Sequence, residues 1–508
     1  MPEKGSTTQS HFMTNPFTEN TKLHNALHYS IALIAGVISV WLAYTYIMHT
    51  WIIWDGSFYL LMARLFYENG NIYHDMTSAY TPLGAMIFSL PWYFTAEPSY
   101  RVFHIMQHVF VLLSGIMAYK ILAGKFSSSL ALAAGATMIL IILSIGTKDL
   151  KLEPIYLFFL LVSFYFLIYA RHKKDYLLTG IFFTLAWFSK QFALLALPPI
   201  LIFLWQNRKT AEHENHFRYF FSGILITFLA FYGYFVVFAG VPAEHFTSIV
   251  LGLSDHTDYG RTGLSYTPHG AIIYSFQKMI RFIPLVIPIV ILFIRNWINE
   301  KQYRSYDARF LFFLAAVFSL AKLAIAHNSH YYIPIFSFFF LFMVSEAARA
   351  TGKNSTISRM VLPRILRKHL YLIFLFLVFA PPLLYGARSL NYHLKNKENH
   401  IQANLSYLQT AEKISKIIPF DAPAMVDGNQ AFTFLCRLKP AHPEKLPAGF
   451  AMNYKSETIQ RYMLPGAYLI VEENLLARYT ILTDSNFKFV GKADDHLIFQ
   501  KVGSAGGD

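Results

Sequence analysis

Residues Trp54–Pro82 read WDGSFYLLMARLFYENGNIYHDMTSAYTP. The stretch directly follows the first long apolar segment and leads into more apolar sequence. It holds two carboxylates, Asp55 and Asp75, a turn signal at Asn69-Gly70, and a Tyr80-Thr81-Pro82 end. Carboxylates at the mouth of a membrane segment are costly, and mark function when they face a cavity rather than lipid. Asp55 also suits an ordinary helix N-cap and Asp75 an ordinary turn. The surroundings have to decide.

Those surroundings are a membrane protein's. Of 508 residues, 55% are hydrophobic and only 14% charged, against roughly a quarter charged in soluble domains. Apolar runs of spanning length recur along the chain. The net charge of +14 could suggest nucleic acid. The basic residues instead fall in short links between apolar runs, as cytoplasmic loops do, so no nucleic-acid partner is expected. A single cysteine, Cys436, excludes an internal disulfide and a cysteine-cluster metal site.

The spans expected are Leu27–Met48, Tyr100–Leu122, Ser127–Ile145, Ile155–Ala170, Phe217–Phe238, Phe282–Ile294, Phe310–Ile325, Tyr331–Val344 and Leu370–Tyr385. Tyr176–Trp205 is too long for one upright span and is polar at Ser189-Lys190-Gln191, so two short spans meeting at Lys190-Gln191 are expected. That makes about eleven. Pro82–Phe94 reads as a re-entrant or interfacial helix. The expected organisation is a cytoplasmic tail (1–26), a transmembrane catalytic domain (27–387) with an outer loop (51–99), and an extracytoplasmic α/β domain (388–508). Strand-like pieces at Ala424–Val426, Tyr468–Val471 and His496–Val502, with a helix around Leu405–Ile417, support the last.

With the N-terminus inside, every basic cluster lands in a cytoplasmic link, from Lys120 and Lys125 to Arg367 and Lys368, as the positive-inside rule requires. The ionisable residues at apolar boundaries then gather on the outer face. These include Asp55, Arg64, His74, Asp75, Lys148, Asp149, Lys151, Glu153, Lys190, Arg261, His327 and His330. Carboxylates can act as a general base or hold a divalent cation. Lysine and arginine at membrane depth suit a phosphate. Histidine serves either purpose. Such a set without a nucleotide loop suits a lipid-phosphate substrate, and sugar transfer from a polyprenyl-phosphate is one such reaction.

The residues Asp55-Gly56, Tyr59, Ala63, Asn69-Gly70, Tyr73-His74-Asp75 and Tyr80-Thr81-Pro82-Leu83-Gly84 resemble the first outer loop of GT-C membrane glycosyltransferases. More narrowly, they are similar to bacterial and archaeal relatives of dolichyl-phosphate-mannose–protein mannosyltransferases. Lys151-x-Glu153-Pro154, Leu185-Ala186-x-x-Ser189-Lys190-Gln191 and His330-Tyr331-Tyr332-x-Pro334 recur there in the same order. The resemblance spans roughly residues 25–390. It implies a polytopic α-helical GT-C fold, a polyprenyl-phosphate sugar donor, inverting transfer, and Asp55 as the catalytic carboxylate. Lipid A aminoarabinose transferases carry a Glu-Lys pair where this chain has Ala79-Tyr80, so their metal and phosphate assignments do not transfer.

The expected roles are therefore Asp55 as general base and Lys190, Lys148, Lys151 and His330 around the donor phosphate. Asp75, Glu153, Tyr80, Gln191 and Arg64 would position substrate. Asp75, His74 and His327 are the candidates for a divalent metal cation. The expected partners are the bilayer, the polyprenyl-phosphate sugar, and a glycan, lipid or protein acceptor. The expected location is the bacterial inner membrane, with the site and C-terminal domain outside. A transporter or flippase of anionic substrates is the rival, but it calls for midplane sites and often an internal repeat. The charges here sit at one face.

Overall fold

A computed structural model describes residues 21–49, 54–73, 81–146, 149–206, 215–251, 308–320, 332–350, 364–427, 431–440, 463–478, 482 and 486–502. The first helix, α1 (Thr21–His49), has 29 residues, roughly 43 Å at 1.5 Å per residue. That exceeds a hydrocarbon core of about 30 Å. Ala35 and Leu42, seven residues apart, are buried, while Leu33 and Val40 stand exposed on another face. Apolar side chains on both faces suit a helix with protein on one side and lipid on the other.

Then come α2 (Trp54–Asn69) and the short α3 (Leu83–Ser89), which a 3₁₀ turn, Leu90–Tyr93, extends. Next are α4 (Tyr100–Ala123), α5 (Ser128–Gly146) and α6 (Glu153–Ile168), followed by α7 (Lys173–Ser189), α8 (Leu197–Gln206) and α9 (His216–Tyr232). A π-helical turn, Gly233–Phe238, leads to α10 (Ala243–Leu251). Beyond it lie α11 (Ala308–Leu320), α12 (Tyr332–Ala350) and α13 (Arg364–Lys395). The central packing runs α1 on α5, α5 on α4, α4 on α6, α6 on α7 and α7 on α9.

Among the described residues five helices are long and apolar enough to cross a membrane: Leu23–His49, Tyr100–Ala123, Ser128–Gly146, His216–Phe238 and Leu372–Lys395. Shorter apolar helices lie at Leu83–Tyr93, Glu153–Ile168, Gln191–Gln206, Ala308–Leu320 and Tyr332–Ala348. The expected span at 282–294 lies outside the described residues. The break expected at Lys190 is present. α7 ends at Ser189, Lys190 is extended, and a 3₁₀ turn, Gln191–Ala196, leads into α8. α13 runs through Pro381 and Pro382 and past position 387, where the domain boundary is expected.

The small α/β unit holds α14 (Lys397–Ile417) and α15 (Ala431–Leu435) on a mixed sheet. Its strands are β1 (Pro423–Asp427), β2 (Lys439–Pro440), β3 (Tyr468–Glu472), β4 (Phe487–Ala493) and β5 (His496–Lys501), in the order β2-β1-β3-β5-β4. β1 is parallel to β2 and β3, and the β3–β5 and β4–β5 pairs are antiparallel. Both faces are covered. Met425, Leu469 and Val471 face one apolar cluster, and Ala424, Val426 and Ile470 face another together with Ile414, Phe432 and Cys436. That alternation is the period of two along a strand.

Candidate active site

α2 fixes one wall of the site. It stops where Gly70 takes a left-handed φ of 66° and its N–H bonds to Phe66 O at 2.8 Å, the end that Asn69-Gly70 predicts. Tyr234 donates to Gly70 O at 2.9 Å, and Asn71 donates to Ala239 O at 3.1 Å. The Tyr73 ring meets Phe235 and His245, and burial pushes its phenol well above the ordinary range. At the other end of α2, Asp55 is the second residue, followed by Gly56.

The Gly56 backbone N–H donates to Asp149 Oδ2 at 3.3 Å. A Cβ at Gly56 would stand 2.3 Å from Asp149 Oδ1 and 2.7 Å from the Tyr100 hydroxyl. Only glycine lets the start of α2 approach this closely. Asp149 Oδ1 accepts from its neighbour Leu150 N at 2.8 Å and from Tyr100 OH at 3.4 Å. Lys151 Nζ lies 3.5 Å from Oδ2. Gln107 of α4 clamps the segment, donating to Asp149 O at 3.3 Å and accepting from Lys151 N at 2.5 Å.

Two residues further on, Glu153 opens α6. Its Oε1 takes a 2.5 Å ion pair from Lys190 Nζ, with the two side chains 0% and 1% exposed. A buried charge persists only when paired and hydrogen-bonded. The helix break is what frees Lys190 to make this contact. Gln191 then donates to Ile249 O at 3.0 Å and Trp187 to Val250 O at 2.8 Å, tying the break to α10.

Of the expected set, Lys151 stands beside Asp149, on which Gly56 seats, and Glu153 pairs with Lys190 where α6 packs on α7, while Gln191 turns to Ile249 O. Arg64 is elsewhere. It bonds Glu68 at 2.6 Å and Asp421 at 2.7 Å, joining α2 to the C-terminal unit. Lys148, His74, Asp75, Tyr80, His327 and His330 lie outside the described residues. Among the described residues no group of three or more metal-ligating side chains gathers.

Sequence reasoning passed over Tyr100, Gln107 and His104. All three sit on one side of α4 at spacings of four and three, which is the signal that could have found them. His104 is fully buried against the Tyr100 ring, centroids 4.9 Å apart. A second buried pair, Arg309 with Glu346 at 2.7 Å, ties α11 to α12.

The described helices form an apolar bundle, long enough in places to cross a membrane, with buried carboxylate–lysine pairs at its helix ends. Residues 80–235 match the sequence model of the family described as dolichyl-phosphate-mannose-protein mannosyltransferase. Among solved structures, ArnT from Cupriavidus metallidurans in the apo state matches at 12% identity and a TM-score of 0.57. The match covers 95% of this chain and 100% of that one. The same protein bound to undecaprenyl phosphate matches at 12% identity and a TM-score of 0.54, covering 96% and 100%. No curated protein matches this chain. The chain thus shares the fold of the ArnT structures, and its residues 80–235 resemble that family's sequence model.

Proposed function

We propose that the chain moves a sugar from a polyprenyl-phosphate-linked donor to an acceptor hydroxyl at the outer face of the bacterial inner membrane, inverting the anomeric carbon. Asp55 takes the hydroxyl proton as the acceptor oxygen attacks that carbon. The bond to the polyprenyl phosphate breaks, and its electron pair leaves with the phosphate oxygen. Lys190 and Lys151, with Lys148 and His330, balance the charge on the departing phosphate. Asp149 and Gln107 hold Lys151 in place, and Glu153 holds Lys190. Glu153, Gln191, Asp75 and Tyr80 position substrate, while Arg64 acts from the domain junction.

The observation that carries this reading is the seating of the Asp55-Gly56 backbone directly on Asp149, four residues before the Glu153–Lys190 pair. Lys190 and Lys151 are buried beside carboxylates, in a setting of low dielectric where electrostatic stabilisation of a leaving phosphate is strongest. The family match and the undecaprenyl phosphate held by the ArnT structure support a lipid-phosphate donor. Asp55→Asn is expected to abolish transfer from a radiolabelled polyprenyl-phosphate sugar while the purified protein stays monodisperse. Full activity in that variant removes Asp55 from the chemistry.

A further inference from the structure

A cavity of about 790 Å³ lies between the helix bundle and the C-terminal unit. One side comes from the end of α1, from α2 and from residues 92–101. The other comes from α14 and the segments around Phe420 and Arg437. Tyr100 belongs to this wall, and its hydroxyl donates to Asp149 Oδ1. One phenol therefore separates the cavity from the carboxylate that seats the Asp55-Gly56 backbone.

The wall is charge-compensated. Its arginines are Arg64, Arg101 and Arg437, and its carboxylates are Glu68, Glu97 and Asp421. Arg64 is shared by Glu68 and Asp421, and Arg437 pairs with Glu97. At Arg64 and Arg437 a phosphorylated acceptor would have to break these pairs or lie beside a carboxylate, which leaves Arg101 as the one cavity arginine, among the described residues, without an ion pair. Between the charges stand aromatic side chains, among them Tyr67, Tyr407 and Phe420, and the Arg437 guanidinium lies 5.9 Å from the Phe420 ring centroid. Among the described residues no strand residue lines the cavity, so it offers no sheet edge to an extended peptide. Its volume falls within the roughly 300–1,000 Å³ of pockets that enclose a small molecule.

We infer that this cavity binds an uncharged carbohydrate acceptor. Its rings lie on the aromatic faces, and its vicinal hydroxyls meet the locked planar edges of the arginine–carboxylate pairs. This rests on the glycosyl-transfer reading and names the acceptor class for the same site. Side chains already fixed by one another lose little freedom on binding.

The test uses full-length protein in detergent and a panel of neutral trisaccharides of glucose, mannose and N-acetylglucosamine. Their singly phosphorylated counterparts and a serine-rich peptide serve as controls. Binding is read by saturation-transfer NMR, and transfer separately with radiolabelled polyprenyl-phosphate sugars. At least one neutral trisaccharide is expected to bind saturably and more tightly than its phosphorylated form. Phe420→Ala and Tyr67→Ala should each weaken it about tenfold, as loss of one ring contact implies. Phe420 is 65% exposed, so its removal leaves the fold standing. Tighter binding of the phosphorylated sugar or the peptide, binding that ignores both variants, or no trisaccharide binding overturns the assignment. Transfer to the peptide alone keeps the transferase reading and removes the carbohydrate acceptor. Trisaccharide binding without transfer from any donor does the reverse.

Discussion

Lys190→Met separates a structural ion pair from a working one. The Lys190–Glu153 contact is 2.5 Å long between side chains 1% and 0% exposed. At an effective dielectric near 20, two charges that close attract by roughly 7 kcal/mol. Removing each ion from water costs several kcal/mol, so the intact pair contributes little net stability. Removing one partner is different, because the other charge stays buried and uncompensated, at a cost of about 3–5 kcal/mol. Replacing both with apolar groups removes that penalty. Lys190→Met alone should therefore sharply lower the fraction of purified protein that survives heating as a monodisperse species. Lys190→Met with Glu153→Leu should restore it. Transfer from a radiolabelled polyprenyl-phosphate sugar should be lost in both, because the phosphate has lost its cation. Wild-type transfer in the double variant would show that the pair only holds the helices. Wild-type thermal survival of Lys190→Met would refute the burial reasoning itself.

Gly56→Ala drives a methyl against Asp149 Oδ1 and the Tyr100 hydroxyl. The carboxylate has to move, and kcat should fall roughly a hundredfold, the scale of a misplacement of about 1 Å; an unchanged kcat disconnects Asp149 from the site. α7 and α9 cross at Gly180 and Gly223, where a new Cβ would stand 2.1 Å from Phe220 O or 2.2 Å from Leu177 O. Either change to alanine should cost about 1–3 kcal/mol as overpacking, and the two together less than their sum, read as heat survival in detergent. Cys436 is the chain's one cysteine and is 1% exposed, with burial pushing its thiol up to about 11. Folding favours the neutral thiol. The stability this adds is fully present below the ordinary value near 9 and is lost as pH rises through about 11. Maleimide labelling at pH 8 should be slow in the native protein and fast in dodecyl sulfate; equal rates would place Cys436 outside the core.

Several features were legible because they are local. Apolar run length marks α1, α4 and α5. A lysine inside an apolar run marks the break at Lys190. Asn-Gly marks the end of α2, and β-rich pieces mark β1, β3 and β5. Others were not. β4 (FKFVGKA) exposes most of its length and carries a register shift between Phe489 and Gly491, so it has no clean alternation to read. The span expected to end at Tyr385 continues as α13 to Lys395, because the polar residues beyond Tyr385 stay helical outside the apolar run that hydropathy can mark. Arg64 reads as one more outer-face cation, because nothing near it announces Asp421, 357 residues away.

The opening stretch divides the same way. Sequence alone leads to the expectation of Asp55-Gly56 at a membrane mouth beside a cation-rich face, because hydropathy and charge bias act residue by residue along the chain. Only the tertiary structure decided that Gly56 seats on Asp149, that Lys190 meets Glu153, and that Arg64 serves the domain junction. Ion pairs form within a few ångströms, and helix packing sets those distances between segments far apart in the chain.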